Sequence, residues 1–196
     1  TPDGVYDYDL SSYVGGNLER PINVGGAKHW GIELSVSQRL GIVSDYLRDF
    51  QIYASYTYQD AKTSSAFNST DSLTGLDERP KYMPVRNAVP KKYKVNLSYR
   101  RNALNASLSY SWIGTYMTNG PYRISGGADD SAFVYLYRDA RGTFDTAVSY
   151  KFYRRYSAYI EVKNLTNEPV RNYLHSRNWV QNYNIYGPFI YFGIKG

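Results

Sequence analysis

Residues 104–116 read LNASLSYSWIGTY, and this stretch decides the fold class. From Leu104 to Trp112 every second residue is bulky or apolar, and the residues between them are serine and asparagine. Successive side chains of a β-strand point to opposite faces, so a period of two residues predicts a long strand with one apolar and one polar face.

The same alternation recurs along the rest of the chain. Six further runs show it: 30–38, 50–58, 93–99, 144–152, 156–162 and 190–194. An eighth run at 13–24 is weaker, because two glycines and a proline interrupt it. No segment has a convincing helical period. We therefore predict an all-β protein of seven or eight strands.

The connections between these runs alternate in length. Short turns are predicted at 101–102 and 154–155, and a moderately short one at 41–48. The long segments are 61–89, 117–141 and 166–186, and they are rich in Gly, Asn, Asp, Ser and Pro. This composition predicts loops. Short turns at one end and long loops at the other are typical of transmembrane β-barrels.

Each run has two alternating sets of positions, which we call its bulky (apolar) phase and its opposite (polar) phase. Charged residues occur in one of these phases and not in the other. The bulky phase of the seven runs contains no Asp, Glu, Lys or Arg. The opposite phase carries Glu33, Arg39, Lys92, Lys94, Arg100, Asp145, Lys151, Glu161, Lys163 and Lys195. A charge on the lipid face near the bilayer midplane costs ~2–4 kcal/mol, whereas a lumen position tolerates one. A soluble sheet with its apolar face inward would show the same alternation. Strand length and the positions of the aromatic residues must therefore distinguish a membrane barrel from a soluble sheet.

Both of these features favour a membrane. Several runs are about nine to thirteen residues long, which matches the ~9–11 that cross a bilayer and exceeds the ~5–6 usual in soluble sheets. Aromatic residues of the apolar phase cluster at both strand ends, as in the girdles of outer-membrane barrels. Near the turns these are Phe50, Tyr99, Tyr150, Phe152 and Tyr156, and near the long loops Trp30, Tyr58, Tyr93, Trp112, Tyr116 and Tyr186. We predict an antiparallel up-and-down transmembrane β-barrel meander.

Composition excludes several kinds of site. The 196 residues include 23 Tyr, 2 His and no Cys, which removes disulfides, thiolate zinc sites and cysteine nucleophiles. His29 and His175 lack the partners of a catalytic or metal set, so we expect no enzyme activity, no metal and no cofactor. The pair Asp129 and Asp130 is better explained as a turn than as a calcium site, which needs 6–8 oxygen ligands. The net charge of +6 comes from scattered residues, so no nucleic-acid partner is expected.

A series of short motifs then points to a family. In chain order they are NVGGAK at 23–28, GIEL at 31–34, ASYTYQDA at 54–61, VP at 89–90, IEVKNLTN at 160–167 and YGP at 186–188. In order and spacing the chain resembles the C-terminal part of TonB-dependent outer-membrane receptors.

This resemblance implies a bacterial outer-membrane protein with a barrel of about 22 strands, filled by an N-terminal plug. It also implies uptake of a scarce ligand, such as a ferric siderophore, cobalamin or a saccharide, with energy passed on by TonB. Residues 1–196 would form the C-terminal part of the barrel, with the plug and the TonB-contacting segment upstream. We expect a fragment that continues slightly past Gly196, because the family typically ends on a membrane-facing aromatic residue. The expected partners are outer-membrane lipid, TonB and a small-molecule ligand.

Ligand contacts are expected in the long loops and the upper lumen. The candidates are Arg79, Tyr82, Arg86, Tyr122, Arg123, Arg138, His175, Arg177 and Trp179. A guanidinium group suits carboxylate or phosphate, and aromatic rings suit planar or cationic groups. The cationic set would favour an anionic ligand.

Three alternatives remain open at this point. The chain could be a complete eight-stranded outer-membrane barrel with a structural or adhesive role, in which case eight strands should close on themselves. It could be an outer-membrane hydrolase, although no clear Ser/His/Asp set or carboxylate pair is present. It could also be a soluble ligand-binding β-protein, which would need no detergent.

Overall fold

The computed structural model describes residues 26–64, 82–123 and 133–196. The strands are β1 Ala27–Arg39, β2 Phe50–Ser64, β3 Tyr82–Pro84, β4 Lys91–Arg101, β5 Leu104–Ile113, β6 Tyr116–Arg123, β7 Phe133–Arg138, β8 Arg141–Tyr153, β9 Tyr156–Lys163, β10 Val170–Leu174, β11 Val180–Asn184 and β12 Phe189–Lys195. Two short 3₁₀ turns, Leu40–Ile42 and Asp45–Leu47, connect β1 to β2. The predicted strand at 13–24 lies outside the described residues.

Seven strands form the main sheet, in the order β1-β2-β4-β5-β8-β9-β12. They correspond to the seven runs with the two-residue period, and every pairing is antiparallel. The short strand β3 adds to the end of β2. This order is an up-and-down meander, which confirms the predicted fold class. Within the described residues β1 and β12 do not pair with each other, so the sheet is not closed.

The register keeps the apolar phase on one continuous face. Leu108 of β5 lies opposite Leu97 on β4 and opposite Thr146 on β8. Leu97 in turn lies opposite Ile52 on β2. The apolar side chains of this face are exposed, up to 80% for Phe192. A continuous exposed apolar face of seven strands requires an apolar environment, and a lipid bilayer supplies one.

In the described strands, the charged residues of this apolar face lie at its two ends. The strands extend beyond the predicted runs, and the added residues place Lys28, Asp60, Lys62 and Lys91 at the long-loop end and Arg101 at the turn end. Lys62 pairs with Asp60 (Nζ–Oδ2 2.9 Å), and Arg101 approaches Asp49 (Nε–Oδ2 3.6 Å). The charge-free band between the two ends is what a hydrocarbon layer demands.

Aromatic rings pack together at both borders of this band. At the long-loop end, Tyr93 stacks on Trp112 with ring centroids 4.9 Å apart. At the same end Tyr110 contacts Phe144 at 4.6 Å. Gly142 makes room for the Tyr110 ring, because a Cβ at that position would collide with it. At the turn end Phe50 and Tyr99 lie 4.8 Å apart. Each girdle therefore contains rings of neighbouring strands in direct contact.

One strand departs from the simple alternation. The register of β8 against β9 shifts between Lys151 and Tyr153, so that Tyr153 lies opposite Tyr156. Tyr156 belongs to the apolar face, and Tyr153 therefore joins it. The period of two predicts Phe152, and not Tyr153, in this phase. The register shift is a β-bulge, and a period of two cannot predict a bulge.

The opposite, polar face lines a cavity. Residues of β1, β2, β4, β5, β8 and β9 surround a single space of about 590 Å³ near the turn end. The lining includes Arg39, Ser107 and Glu161 from the polar phase. Six strands of one sheet can share a cavity only if that face is concave. The polar face is therefore the lumen side.

The motif at 160–167 forms a tight structural turn after β9. Asn164 is buried at 6% exposure and has a left-handed backbone, with φ of 54°. Its side chain accepts a hydrogen bond from the backbone N–H of Glu168 (2.9 Å) and donates to the Glu168 carbonyl (3.2 Å). Its own N–H donates to the Asp145 carboxylate (2.9 Å). Asn167 then accepts from the N–H of Gly187, which ties this turn to the segment leading into β12.

The turn gives a first testable prediction. Asn164→Gly keeps the left-handed backbone accessible but removes both side-chain hydrogen bonds, so the free energy of unfolding should fall by about 1–2 kcal/mol. Asn102→Gly is the matched control, because Asn102 (φ 51°) occupies the exposed β4–β5 turn. It should change stability by less than about 0.5 kcal/mol. Urea unfolding of both variants in detergent micelles measures the difference, and equal losses would contradict this role of Asn164.

Candidate functional site

The long-loop end of the main sheet carries a second sheet. Its four strands have the order β11-β10-β7-β6, and we call it the loop sheet. It consists of two hairpins, β6–β7 and β10–β11, joined by pairing of β7 with β10. The segments 117–141 and 166–186, predicted as loops, are therefore partly strands. The run FVYLYR at 133–138 alternates, but it is short and lies beside residues typical of loops.

The loop sheet contains most of the buried apolar side chains of the described residues. These are Met117, Val134 and Tyr173, and Met83 of β3 is the remaining one. The main sheet contributes none, because both of its faces are open. Tyr137 stacks on Tyr173 with centroids 5.6 Å apart, and burial together with the neighbouring Tyr135 and Tyr173 raises the pKa of the Tyr137 phenol. The loops thus form a packed platform with its own small core.

A polar row crosses all four strands on one face of the loop sheet. Arg138 of β7 donates to the Tyr116 hydroxyl (3.3 Å) and to the Asn172 side-chain oxygen (3.2 Å). Asn172, which is buried, donates to the side-chain oxygen of Asn182 (2.8 Å). Each of these side chains thus forms a hydrogen bond with its neighbour on the adjacent strand. The row fixes the position of Arg138.

The Asp139 carboxylate, at the end of β7, binds several groups of the loop sheet and its surroundings. This carboxylate, with a side chain only 15% exposed, pairs with Arg171 (3.3 Å) and with Arg177 (3.2 Å). It also accepts hydrogen bonds from the Thr115 hydroxyl and from the backbone N–H of Ala140. Two guanidinium groups therefore share one carboxylate. Their side chains are 34% and 64% exposed, which leaves a net positive charge at the surface.

The tip of the β10–β11 hairpin is held by backbone hydrogen bonds. The N–H of Leu174 donates to the Trp179 carbonyl, and the N–H of His175 donates to the Tyr135 carbonyl, both at 2.9 Å. His175 has φ of 53°, which lets the chain turn sharply. Trp179 is 58% exposed, so its ring lies on the surface of a well-anchored tip.

The candidate ligand residues divide into three groups. Arg138 lies on β7, the β10–β11 connection carries His175, Arg177 and Trp179, and the Arg86 guanidinium donates to the Gly120 carbonyl of β6 (2.8 and 3.2 Å). Tyr82 lies on β3, and Tyr122 and Arg123 lie on β6. Arg79 and the Asp129–Asp130 pair lie outside the described residues.

The guanidinium groups of Arg86, Arg138 and Arg177 all bond within the protein. Asp139 and Arg171, which hold Arg177, were not among the residues predicted from the sequence. No local signal could have revealed this group, because Arg171 and Arg177 lie 32 and 38 residues from Asp139 along the chain.

The described ranges contain no group of three or more His, Asp or Glu residues suited to a metal ion. The His29 ring nitrogen instead lies 3.2 Å from the side-chain oxygen of Gln59. No helix in the same ranges has the length and apolar character needed to cross a membrane.

Comparison with known proteins agrees with the fold and the motifs. Residues 3–165 match the family model described as TonB dependent receptor-like, beta-barrel. No curated protein and no solved structure matches the chain. The family comprises outer-membrane transport receptors and not enzymes. Because the match covers most of the 196 residues, the chain belongs to the TonB-dependent receptor β-barrel family.

Proposed function

We propose that the chain is the C-terminal part of the barrel of an uptake receptor, and that its loop sheet contacts the ligand. Upstream of it would lie a plug domain and the segment that contacts TonB. The ligand would be a scarce nutrient such as a ferric siderophore, cobalamin or a saccharide. TonB-driven rearrangement of the plug would then release it into the periplasm.

One observation carries this proposal. The two hairpins at the long-loop end merge into a single sheet with its own core, so the exposed residues at its tip have fixed positions. Long loops of outer-membrane barrels face the outside, where the ligand arrives. A pre-positioned surface loses less conformational entropy on binding than a free loop does.

The electrostatics of the loop sheet favour an anionic ligand. Arg171 and Arg177 share the single carboxylate of Asp139, and Arg138 is held by uncharged partners. Guanidinium groups held in this way keep free N–H edges for a carboxylate or phosphate oxygen. A ferric siderophore with net negative charge fits this chemistry better than a neutral saccharide.

The concave polar face supports the proposed position of the plug. Arg39, Arg100 and Glu161 line the 590 Å³ cavity, and the charged side chains of this face point away from the apolar band. In a closed barrel this face would enclose the lumen, where a plug with complementary charges could bind.

Trp179 provides the sharpest test of the ligand surface. Its ring is exposed at the anchored tip, so Trp179→Ala should weaken ligand binding about tenfold without lowering the stability of the fold. The measurement is uptake and binding of labelled ferric siderophores, cobalamin and oligosaccharides by cells that produce the full-length receptor, with and without a proton gradient.

Tyr46→Ala serves as the matched control for Trp179→Ala. Tyr46 is 95% exposed and lies in the β1–β2 connection at the opposite end of the main sheet. This variant should bind the ligand like the unaltered receptor. Uptake that needs no proton gradient would contradict the proposed TonB dependence, and unchanged affinity of Trp179→Ala would contradict the placement of the ligand.

A further inference from the structure

The turn end of the main sheet is strongly cationic. Eight cationic side chains lie in the turns or within a few residues of them: Arg39, Arg48, Arg100, Arg101, Lys151, Arg154, Arg155 and Lys195. Only Asp45 and Asp49 oppose them in the same segments. This excess of positive charge equals the net charge of the whole chain, +6. The remaining residues of the sequence therefore carry no net charge between them.

Two arginines of this cluster lie beside the apolar face. Arg154 and Arg155 form the tight β8–β9 turn, between Tyr153 and Tyr156. The two tyrosine rings stack with centroids 6.3 Å apart, at the border of the apolar band. Because Tyr156 shares a phase with Ile160, this tyrosine pair lies on the outer face and not in the lumen.

Each ring supports one guanidinium group. The Arg154 Cζ atom lies 5.9 Å from the centre of the Tyr153 ring, and the Arg155 Cζ atom lies 5.7 Å from that of Tyr156. A cation over a ring face uses the flat side of the guanidinium, so the N–H groups in its plane remain available. Among the described residues, neither arginine has a carboxylate within ion-pair distance.

We propose that Arg154 and Arg155, held over Tyr153 and Tyr156, bind the phosphate of an anionic phospholipid in the leaflet next to the turns. The guanidinium fork matches two phosphate oxygens, and the tyrosine rings contact the first part of the acyl chains. The exposed ring of Tyr150, which lies opposite Ala158, extends this apolar surface toward the bilayer core. A free phosphate ion would use the cations alone and leave the apolar contacts unused.

The inference rests on the proposed insertion of the barrel in a membrane, with its short turns in the periplasm. It does not depend on the identity of the transported ligand. The site would therefore face the periplasmic leaflet, where phospholipid phosphates are within reach of the turns.

The test compares lipid binding to the full-length protein and to two double variants in detergent micelles. Native mass spectrometry counts bound phosphatidylglycerol and, separately, bound phosphatidylcholine. Arg154→Gln with Arg155→Gln removes the proposed site. Lys151→Gln with Lys195→Gln is the matched control, since both lysines lie opposite Ser157 on the lumen face of the same end. Both variants remove two positive charges.

We expect the arginine variant to bind phosphatidylglycerol about fivefold more weakly and phosphatidylcholine unchanged. The lysine variant should change phosphatidylglycerol binding less than about twofold. Equal losses in both variants would show a general attraction to the cationic end and overturn the site. Unaltered binding by the arginine variant would also overturn it, and so would displacement of the lipid by an equal concentration of inorganic phosphate.

Insertion into phosphatidylcholine vesicles, followed by the shift in gel mobility on heating, is a separate measurement. Failure to insert would contradict the barrel itself, whereas insertion without selective phosphatidylglycerol binding would contradict only the lipid site.

Discussion

Leu108→Arg should lower the free energy of unfolding from a lipid bilayer by about 2–4 kcal/mol. Leu108 lies near the middle of β5, and its row on the apolar face contains Leu97 and Ile52. No charged residue of the described chain lies in this part of the apolar face. A guanidinium here would therefore have to lose its hydration, or pull water and head groups into the bilayer. Urea unfolding of the full-length protein in vesicles measures this cost.

Ser107→Arg is the matched control for Leu108→Arg. Ser107 is the preceding residue of the same strand, and its side chain points to the opposite, concave face. The cavity there already holds Arg39 and Glu161, so a new arginine can remain hydrated. We expect a loss below about 1 kcal/mol. Equal losses for the two variants would mean that the two faces do not differ in environment.

Asp139→Ala should destabilise the loop sheet by about 2–3 kcal/mol. The substitution removes the shared partner of Arg171 and Arg177, and it also removes an acceptor for Thr115 and Ala140. The low exposure of this carboxylate makes the loss larger than that of a surface ion pair. Local opening should expose the backbone amides of Leu174 and His175, whose hydrogen exchange would accelerate roughly 30- to 150-fold.

Asp60→Ala tests whether any lost ion pair has this effect. Asp60 pairs with Lys62 at 2.9 Å, but the two side chains are 32% and 57% exposed. Its loss should cost less than about 1 kcal/mol and leave exchange in the loop sheet unchanged. Unaltered exchange in Asp139→Ala would contradict the role of Asp139 in stabilising the loop sheet.

The main sheet could be predicted from the sequence because its pattern is local. Side chains alternate with a period of two, and a shift by one residue would move Leu97 or Leu108 to the lumen face. The apolar phase therefore fixes which residues share a face. The bulge at Phe152 escaped prediction, because it depends on how Tyr153 meets Tyr156 across the β8–β9 turn.

The loop sheet could not be predicted in the same way. Its strands are short, and the registers of β6 with β7 and of β10 with β11 shift. The arginines were predicted as ligand candidates from their chemistry alone, and the structure places Arg138 on β7 and Arg177 in the β10–β11 connection. Their partners Asn172 and Asp139 come from another hairpin, and only the folded structure brings them together.

The central claim is that the charge-free face of the main sheet contacts lipid and the other face contacts water. The 196 residues contain no cysteine, so single cysteines can carry spin labels at each position from 105 to 112 of β5. Accessibility to oxygen, which concentrates in lipid, and to a water-soluble nickel chelate should alternate along the strand in full-length protein in vesicles. We predict oxygen access at Ala106, Leu108, Tyr110 and Trp112 and nickel access at the residues between them. Accessibility that does not alternate, or nickel access at Leu108, would contradict the account.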